Sequence, residues 1–171
     1  IVHGAAIAAI YVALTMIFAP ISFGPVQFRI SEALCILPFF TPAAVPGLFI
    51  GCLLSNLFCG SAMLDVVFGS LATFLGALWC WKMRERPKLA LLGPVIANAL
   101  IVPAYLPLLL QGLGYYTIPF TSIALDGLYL PMYLFGVVAT GLGEALVIYV
   151  LGLPLLSALK RFDVVKKAVA R

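Results

Sequence analysis

Long apolar stretches divided by short polar punctuation fill this chain. They fall at about 4–18, 28–40, 43–59, 64–81, 89–110 and 128–157. A straight crossing of a bilayer's hydrocarbon core takes roughly 20 residues, with a range near 17–25. The fourth and fifth stretches meet that length, and the sixth can cross with tilt or a protruding end. The first is slightly short. The pattern predicts an all-α membrane protein, a six-transmembrane-helix bundle forming a single domain over 1–171.

The second and third stretches are interrupted. Pro38, Pro42 and Pro46 recur every four residues between 28 and 60. Proline removes a backbone donor and clashes with the preceding turn, which argues against one continuous helix. Two architectures fit: two short spans turning near Thr41–Pro46, which we favour, or one long kinked span with a re-entrant piece.

Composition fixes the solvent. Hydrophobic residues make up 64% of the chain, charged residues 9%, and the mean hydropathy is +1.19. A soluble domain devotes roughly 25% of its residues to charge. Most of this surface must therefore face lipid. Charge then fixes orientation. Lys82, Arg84, Arg86 and Lys88 follow the fourth stretch, and Lys160, Arg161, Lys166, Lys167 and Arg171 follow the sixth. The positive-inside rule places both clusters, and by parity both termini, in the cytoplasm. The loops at about 19–27, 60–64 and 111–127 then face outward; the last, with Gln111, Tyr115, Tyr116 and Asp126, carries no basic residue. The net charge of +4 is thus a topology signal rather than a sign of nucleic-acid binding. The chain opens on Ile1 rather than Met, as one lacking some native N-terminal residues would. With no basic n-region or small-residue cleavage site, its first stretch reads as a span rather than a signal peptide.

Enzymatic chemistry has little to work with. Cys35, Cys52, Cys59 and Cys80 lie inside apolar segments with no CxxC, and read as small hydrophobes. A lone histidine, His3, allows neither a zinc cluster nor a Ser/His/Asp triad, and no phosphate-binding GxxxxGK[ST] loop is present. No metal, cofactor or catalytic residue is expected.

Ionisable groups in hydrocarbon cost roughly 2.5–3.5 kcal/mol each on insertion scales, so each asks for a cavity or a partner. Glu144 lies near the middle of the sixth stretch, just after Gly141 and Gly143, which permit close backbone approach, and Tyr133, Val137, Thr140 and Glu144 share one helical stripe. It reads either as a ligand carboxylate or as a structural one. Asn98, with Ile101, Tyr105 and Leu109 on its face, is either a ligand-binding amide or a clamp between helices. Asp65 opens the fourth stretch as a helix cap or a ligand group. Arg29 and Glu32, three apart, either pair with each other or greet a polar solute beside Phe23, Gln27 and Phe28. Asn56 lies near the outer end of the third stretch. Carboxylate, amide and aromatic together suit a planar heterocycle with several N–H donors. On the first helix Ala5, Ala9 and Ala13 recur every four residues, a spacing that serves either internal packing or partner docking.

Several blocks resemble the QueT family: Phe23-Gly-Pro-Val-Gln-Phe-Arg-Ile-Ser-Glu-Ala-Leu34, Leu37-Pro-Phe-Phe, Ala44-Val-Pro-Gly-Leu-Phe-Ile-Gly-Cys52, Leu64-Asp-Val-Val-Phe-Gly-Ser-Leu-Ala-Thr73, Asn98-Ala-Leu-Ile-Val102 and Gly141-Leu-Gly-Glu144. The resemblance implies a substrate-binding (S) component of an energy-coupling factor transporter in the bacterial plasma membrane, importing a queuosine precursor. Such a component works with a transmembrane scaffold subunit and two separate ATPases and is not itself an enzyme. The resemblance further implies scaffold docking through Ala5, Ala9 and Ala13, and a lid over Pro20–Gln27. A 7-deazaguanine would then present paired N–H donors to Glu144 or Asp65, its carbonyl side to Asn98 and its ring to Tyr105 or Phe23. A basic aminomethyl group would want the second carboxylate. An S component for another vitamin-like solute and a stand-alone carrier are the competing readings.

Overall fold

A computed structural model describes residues 1–22, 28–110, 125 and 128–161. Regular structure among them is helical throughout. Helix α1 covers Val2–Ile17 and is followed by the short α2, Ala19–Ser22. A 3-10 helix then runs over Ile30–Phe39, and α3 over Ala44–Phe58. A π-helical turn, Asp65–Gly69, leads into α4, Ser70–Lys82. The short α5, Pro87–Ala90, precedes α6, Leu92–Leu110. Last come α7, Tyr129–Leu146, a second π turn, Val147–Gly152, and α8, Leu153–Leu159. Two of these rods, Pro87–Leu109 and Tyr129–Leu159, are long and apolar enough to cross a membrane.

The proline-rich region is two separate helices, and one proline does most of the breaking. The turn occupies residues 40–43 around Pro42. Pro46 falls within the first turn of α3, where backbone N–H groups have no intrahelical partner anyway, so the helix begins before it rather than after it. Pro38 sits inside the 3-10 helix. That helix is the central strut of the bundle: eight of its ten residues are buried, and it packs on α1, α3, α4, α8 and the second π turn. At about 2.0 Å rise per residue it reaches roughly 20 Å, further than an α-helix of equal length.

Small residues set the helix crossings. A Cβ on Gly47 of α3 would stand 2.7 Å from the Gly4 carbonyl oxygen of α1, and one on Gly51 2.8 Å from the Tyr11 Cβ. Between α4 and α6, a Cβ on Gly76 would come within 2.6 Å of Pro94; between α6 and α7, one on Gly136 would come within 2.8 Å of Pro103. These approaches are the close backbone contacts that let helices associate by dispersion in lipid.

The exterior inverts the pattern of a soluble protein. Along α7 and the turn after it, Leu130, Leu134, Val138, Leu142, Leu146 and Val150 are exposed at four-residue spacing, as are Leu92, Ile96, Leu100 and Leu108 on α6. Inside lie Arg29, Glu32, Asn56, Asp65, Asn98 and Glu144, none more than 5% exposed. Apolar outside and polar inside is the arrangement hydrocarbon selects.

Candidate functional site

The interior polar groups form two tiers. The upper tier gathers at one end of the bundle, where the 3-10 helix begins, α3 ends and the first π turn opens. Arg29 donates from Nη2 to both carboxylate oxygens of Asp65, at 3.3 and 3.1 Å. Tyr105 of α6 donates its hydroxyl to Asp65 Oδ1 at 2.5 Å, and Asn56 donates from Nδ2 to the Asp65 carbonyl at 3.0 Å. Gly69 makes this cluster possible. A Cβ there would stand 3.2–3.4 Å from Asp65 Oδ1, the Tyr105 hydroxyl and Asn56 Nδ2 together.

The helix between Tyr105 and Asn98 is seven residues, about 10 Å at 1.5 Å per residue, and this carries the chain to the lower tier. There Glu32 accepts three bonds: from Tyr11 at 2.5 Å, Thr73 at 2.8 Å and the Cys35 thiol at 3.1 Å. Asn98 donates from Nδ2 to Glu144 Oε1 at 3.2 Å across the α6–α7 interface. Thr140, one turn before Glu144, is buried with no hydrogen-bond partner for its hydroxyl among the described residues, and Asn56 Oδ1 is in the same position.

Placed against the sequence expectations, several residues move. Arg29 and Glu32 do not pair with each other; Arg29 engages Asp65, thirty-six positions away, because both face inward at the same end of the bundle. Asp65 makes no helix-capping bond. The Tyr105 ring stacks on Phe68 with centroids 5.9 Å apart, so one of its two faces is occupied. Tyr133 is only half-buried, and its hydroxyl reaches the Leu100 carbonyl at 3.4 Å. Phe23, Gln27 and, in the loop 111–127, residues 111–124, 126 and 127 lie outside the described residues. Ala5, Ala9 and Ala13 are exposed, whereas Gly4 and Ala8 meet Gly47 and Gly51 of α3. The alanines line a groove of about 830 Å³ with Val12, Pro46, Ile50 and Phe58.

Other participants carried a weaker sequence signal. Tyr11 and Thr15 are four apart on the inner face of α1, and Thr15 donates to Ser31 at 2.7 Å. Three of the cysteines are polar partners rather than inert fillers: Cys35, Cys52, and Cys80, whose thiol donates to the Ala90 carbonyl at 3.1 Å. The Cys52 sulfur receives long contacts from Arg29 and Thr73, at 3.5 Å each. Hydroxyls at four-residue spacing inside apolar helices mark such positions, but a lone Thr73 or Cys35 gives no pattern to read.

The chain matches the family model described as QueT transporter over residues 1–161. It is 43% identical over 91 residues to a protein of Lactococcus lactis subsp. cremoris (strain MG1363) named Queuosine precursor transporter QueT, a match covering 50% of this chain and 53% of that relative. The aligned part is thus about half the length of the relative. No solved structure matches. With a family match extending over nearly the whole chain, this protein belongs to the QueT transporter family.

Proposed function

We propose that this protein is the substrate-capturing S component of an energy-coupling factor importer for a queuosine precursor of the 7-deazaguanine type. In this reading the chain is a single domain of six spans in the bacterial plasma membrane, with both termini cytoplasmic. The basic residues 82–88 and 160–161 lie at the ends away from the polar tiers, which supports a cytoplasmic placement for them and an outer placement for Arg29 and Asp65. A transmembrane scaffold subunit docks on the exposed Ala5–Ala9–Ala13 groove, and two separate ATPase subunits supply the energy. Internal packing of α1 is supplied by Gly4 and Ala8, leaving the alanine stripe for a partner.

The observation that carries the substrate reading is the Glu144–Asn98 pair beside the unpartnered Thr140 hydroxyl. A carboxylate accepts the parallel N1–H and exocyclic N–H donors of a guanine edge as two charge-assisted bonds. Asn98 then serves the carbonyl side and Thr140 completes the polar rim. Asp65 is the weaker candidate, because Arg29 and Tyr105 already occupy its oxygens. Glu32 supplies the second carboxylate. Phe23 and Gln27 contribute from the loop preceding the 3-10 helix.

Purified protein titrated with queuine, its aminomethyl precursor and guanine tests this reading. A capture subunit for a scarce nutrient should bind a deazaguanine well below roughly 10 μM. No binding of any of the three at that concentration overturns the substrate class.

A further inference from the structure

Where α4 turns into α5 and α6, a positive patch stands without partners. Lys82, Arg86 and Lys88 are exposed and form no ion pair among the described residues, not even with Glu85 beside them. Orientation in the membrane asks only that such charges be present in the loop. This loop is also fastened. The Trp79 indole donates to the Leu89 carbonyl at 3.1 Å, the Cys80 thiol to the Ala90 carbonyl at 3.1 Å and the Tyr149 hydroxyl to the Lys88 carbonyl at 3.4 Å. Arg84 turns back, donating to the Trp81 carbonyl at 3.0 Å with its guanidinium 5.5 Å from the Trp81 ring centre. Away from the patch runs an apolar seam. Leu71, Leu75 and Trp79 are exposed at four-residue spacing on α4, and Leu89, Leu92, Ile96 and Leu100 at three and four on α5 and α6. Gly93 of α6 packs against the Trp79 ring at one end of the seam. At the other end the seam opens into a crevice of about 460 Å³ lined by Phe68, Leu71, Leu100, Ile101, Ala104 and Tyr105. From Lys82 to Leu71 and from Leu89 to Leu100 the helices rise about 16 Å, close to half of a roughly 30 Å hydrocarbon core.

Cations at a leaflet surface, an apolar seam one leaflet long and an apolar crevice at its end match the shape and polarity of one molecule. We propose that the α4–α6 seam is a binding site for an anionic phospholipid of the leaflet that holds residues 82–88. Lys82, Arg86 and Lys88 receive its phosphate and headgroup. One acyl chain lies along Leu75, Trp79, Leu92 and Ile96, with its end in the crevice. Two ammonium groups and a guanidinium fork suit a phosphodiester. Trp79 is 47% exposed while its N–H is engaged inward, which sets an aromatic face at the level where headgroup meets chain. An acidic segment of a partner protein would share the charge but has no use for an apolar seam, so the lipid is the occupant. The site goes beyond the deazaguanine reading and meets the polar tiers only where Tyr105 borders the crevice.

Full-length protein in nonionic detergent is given equal amounts of a phosphatidylglycerol and a phosphatidylcholine with the same acyl chains, and bound lipid is counted by native mass spectrometry. Retained phosphatidylglycerol is expected to exceed phosphatidylcholine about ten-fold, because each Lys or Arg near an anionic headgroup adds attraction. The triple substitution Lys82→Gln, Arg86→Gln and Lys88→Gln is expected to bring the two lipids to equal retention. Ala104→Phe fills the crevice without touching the charges and is expected to lower phosphatidylglycerol retention several-fold. Equal retention of the two lipids by the native protein overturns the site, and so does an unchanged preference in the triple variant. Unchanged retention in Ala104→Phe overturns the placement of the acyl chain. Displacement of the lipid by inorganic phosphate, at an ionic strength where chloride displaces none, marks a bare anion site and overturns the assignment to lipid. Capture of a poly-glutamate peptide in place of lipid marks a protein-docking surface and overturns it as well. The native protein decides through the lipid comparison and the two competitors if the variants do not fold. No deazaguanine is present, so failure here leaves the substrate reading untouched.

Discussion

Asp65 and Glu144 are both carboxylates buried in one bundle about 10 Å apart in depth, and they are handled in opposite ways. Asp65 sits against Arg29, takes the Tyr105 hydroxyl and has its backbone carbonyl held by Asn56. Glu144 has one amide partner and a neighbouring hydroxyl with none. A buried charge with a matched counter-charge belongs to the folded architecture, since removing either member strands the other. A buried carboxylate with only a neutral partner is, on the proposed reading, kept for a ligand. On that reading the upper tier joins the 3-10 helix, α3, α4 and α6, and the lower tier receives the ligand.

Substitutions break or sharpen this contrast. The largest effect is expected in the upper tier. Arg29→Ala strands the Asp65 carboxylate and should cost about 3–5 kcal/mol, read as a collapse of folded yield and of Tm in detergent. The double change Arg29→Met with Asp65→Leu should recover much of that loss, because no unpaired charge remains. Tyr105→Phe removes one bond to a charged acceptor and should lower stability by about 1.5–3 kcal/mol in the same thermal assay. Gly76→Val drives a side chain into Pro94, and an overpacking cost of about 1–3 kcal/mol should appear as a reduced Tm. At the small end, Ala9→Leu on the exposed groove should change stability by less than about 0.5 kcal/mol and leave ligand binding intact. Its effect should fall on uptake in cells carrying the partner subunits; normal uptake with this variant would remove the docking role of the alanine stripe.

Much of the fold was legible because the code for a lipid-facing helix is coarse. Segment positions fall within a few residues of the observed helices, and Pro42 marks the turn between the 3-10 helix and α3. The turn's extent was less legible, since a proline in the first helical turn looks the same in sequence as one that ends a helix. The residue types of the site stood out, as any ionisable group does in an apolar run. Their pairings did not. Arg29 and Glu32 are three apart in sequence, yet Arg29 pairs with Asp65, and Glu32 takes Tyr11 and Thr73 from other elements besides its local Cys35. Such contacts depend on which helix ends meet, and local spacing carries no record of that. The alanine stripe illustrates the same limit. Only the packing of Gly4 and Ala8 on Gly47 and Gly51 shows which of two small-residue faces is used internally.

The most direct measurement places the two carboxylates side by side: ligand Kd and Tm for Asp65→Asn and Glu144→Gln, with a 7-deazaguanine as ligand. The account predicts that Asp65→Asn lowers Tm sharply, while the protein that stays folded binds within a few-fold of native. Glu144→Gln should keep a near-native Tm and lose at least ten-fold in affinity, about 1.4 kcal/mol. Native affinity in Glu144→Gln, or a Tm loss as large as that of Asp65→Asn, contradicts the division between a tier that holds the bundle and a tier that holds its cargo.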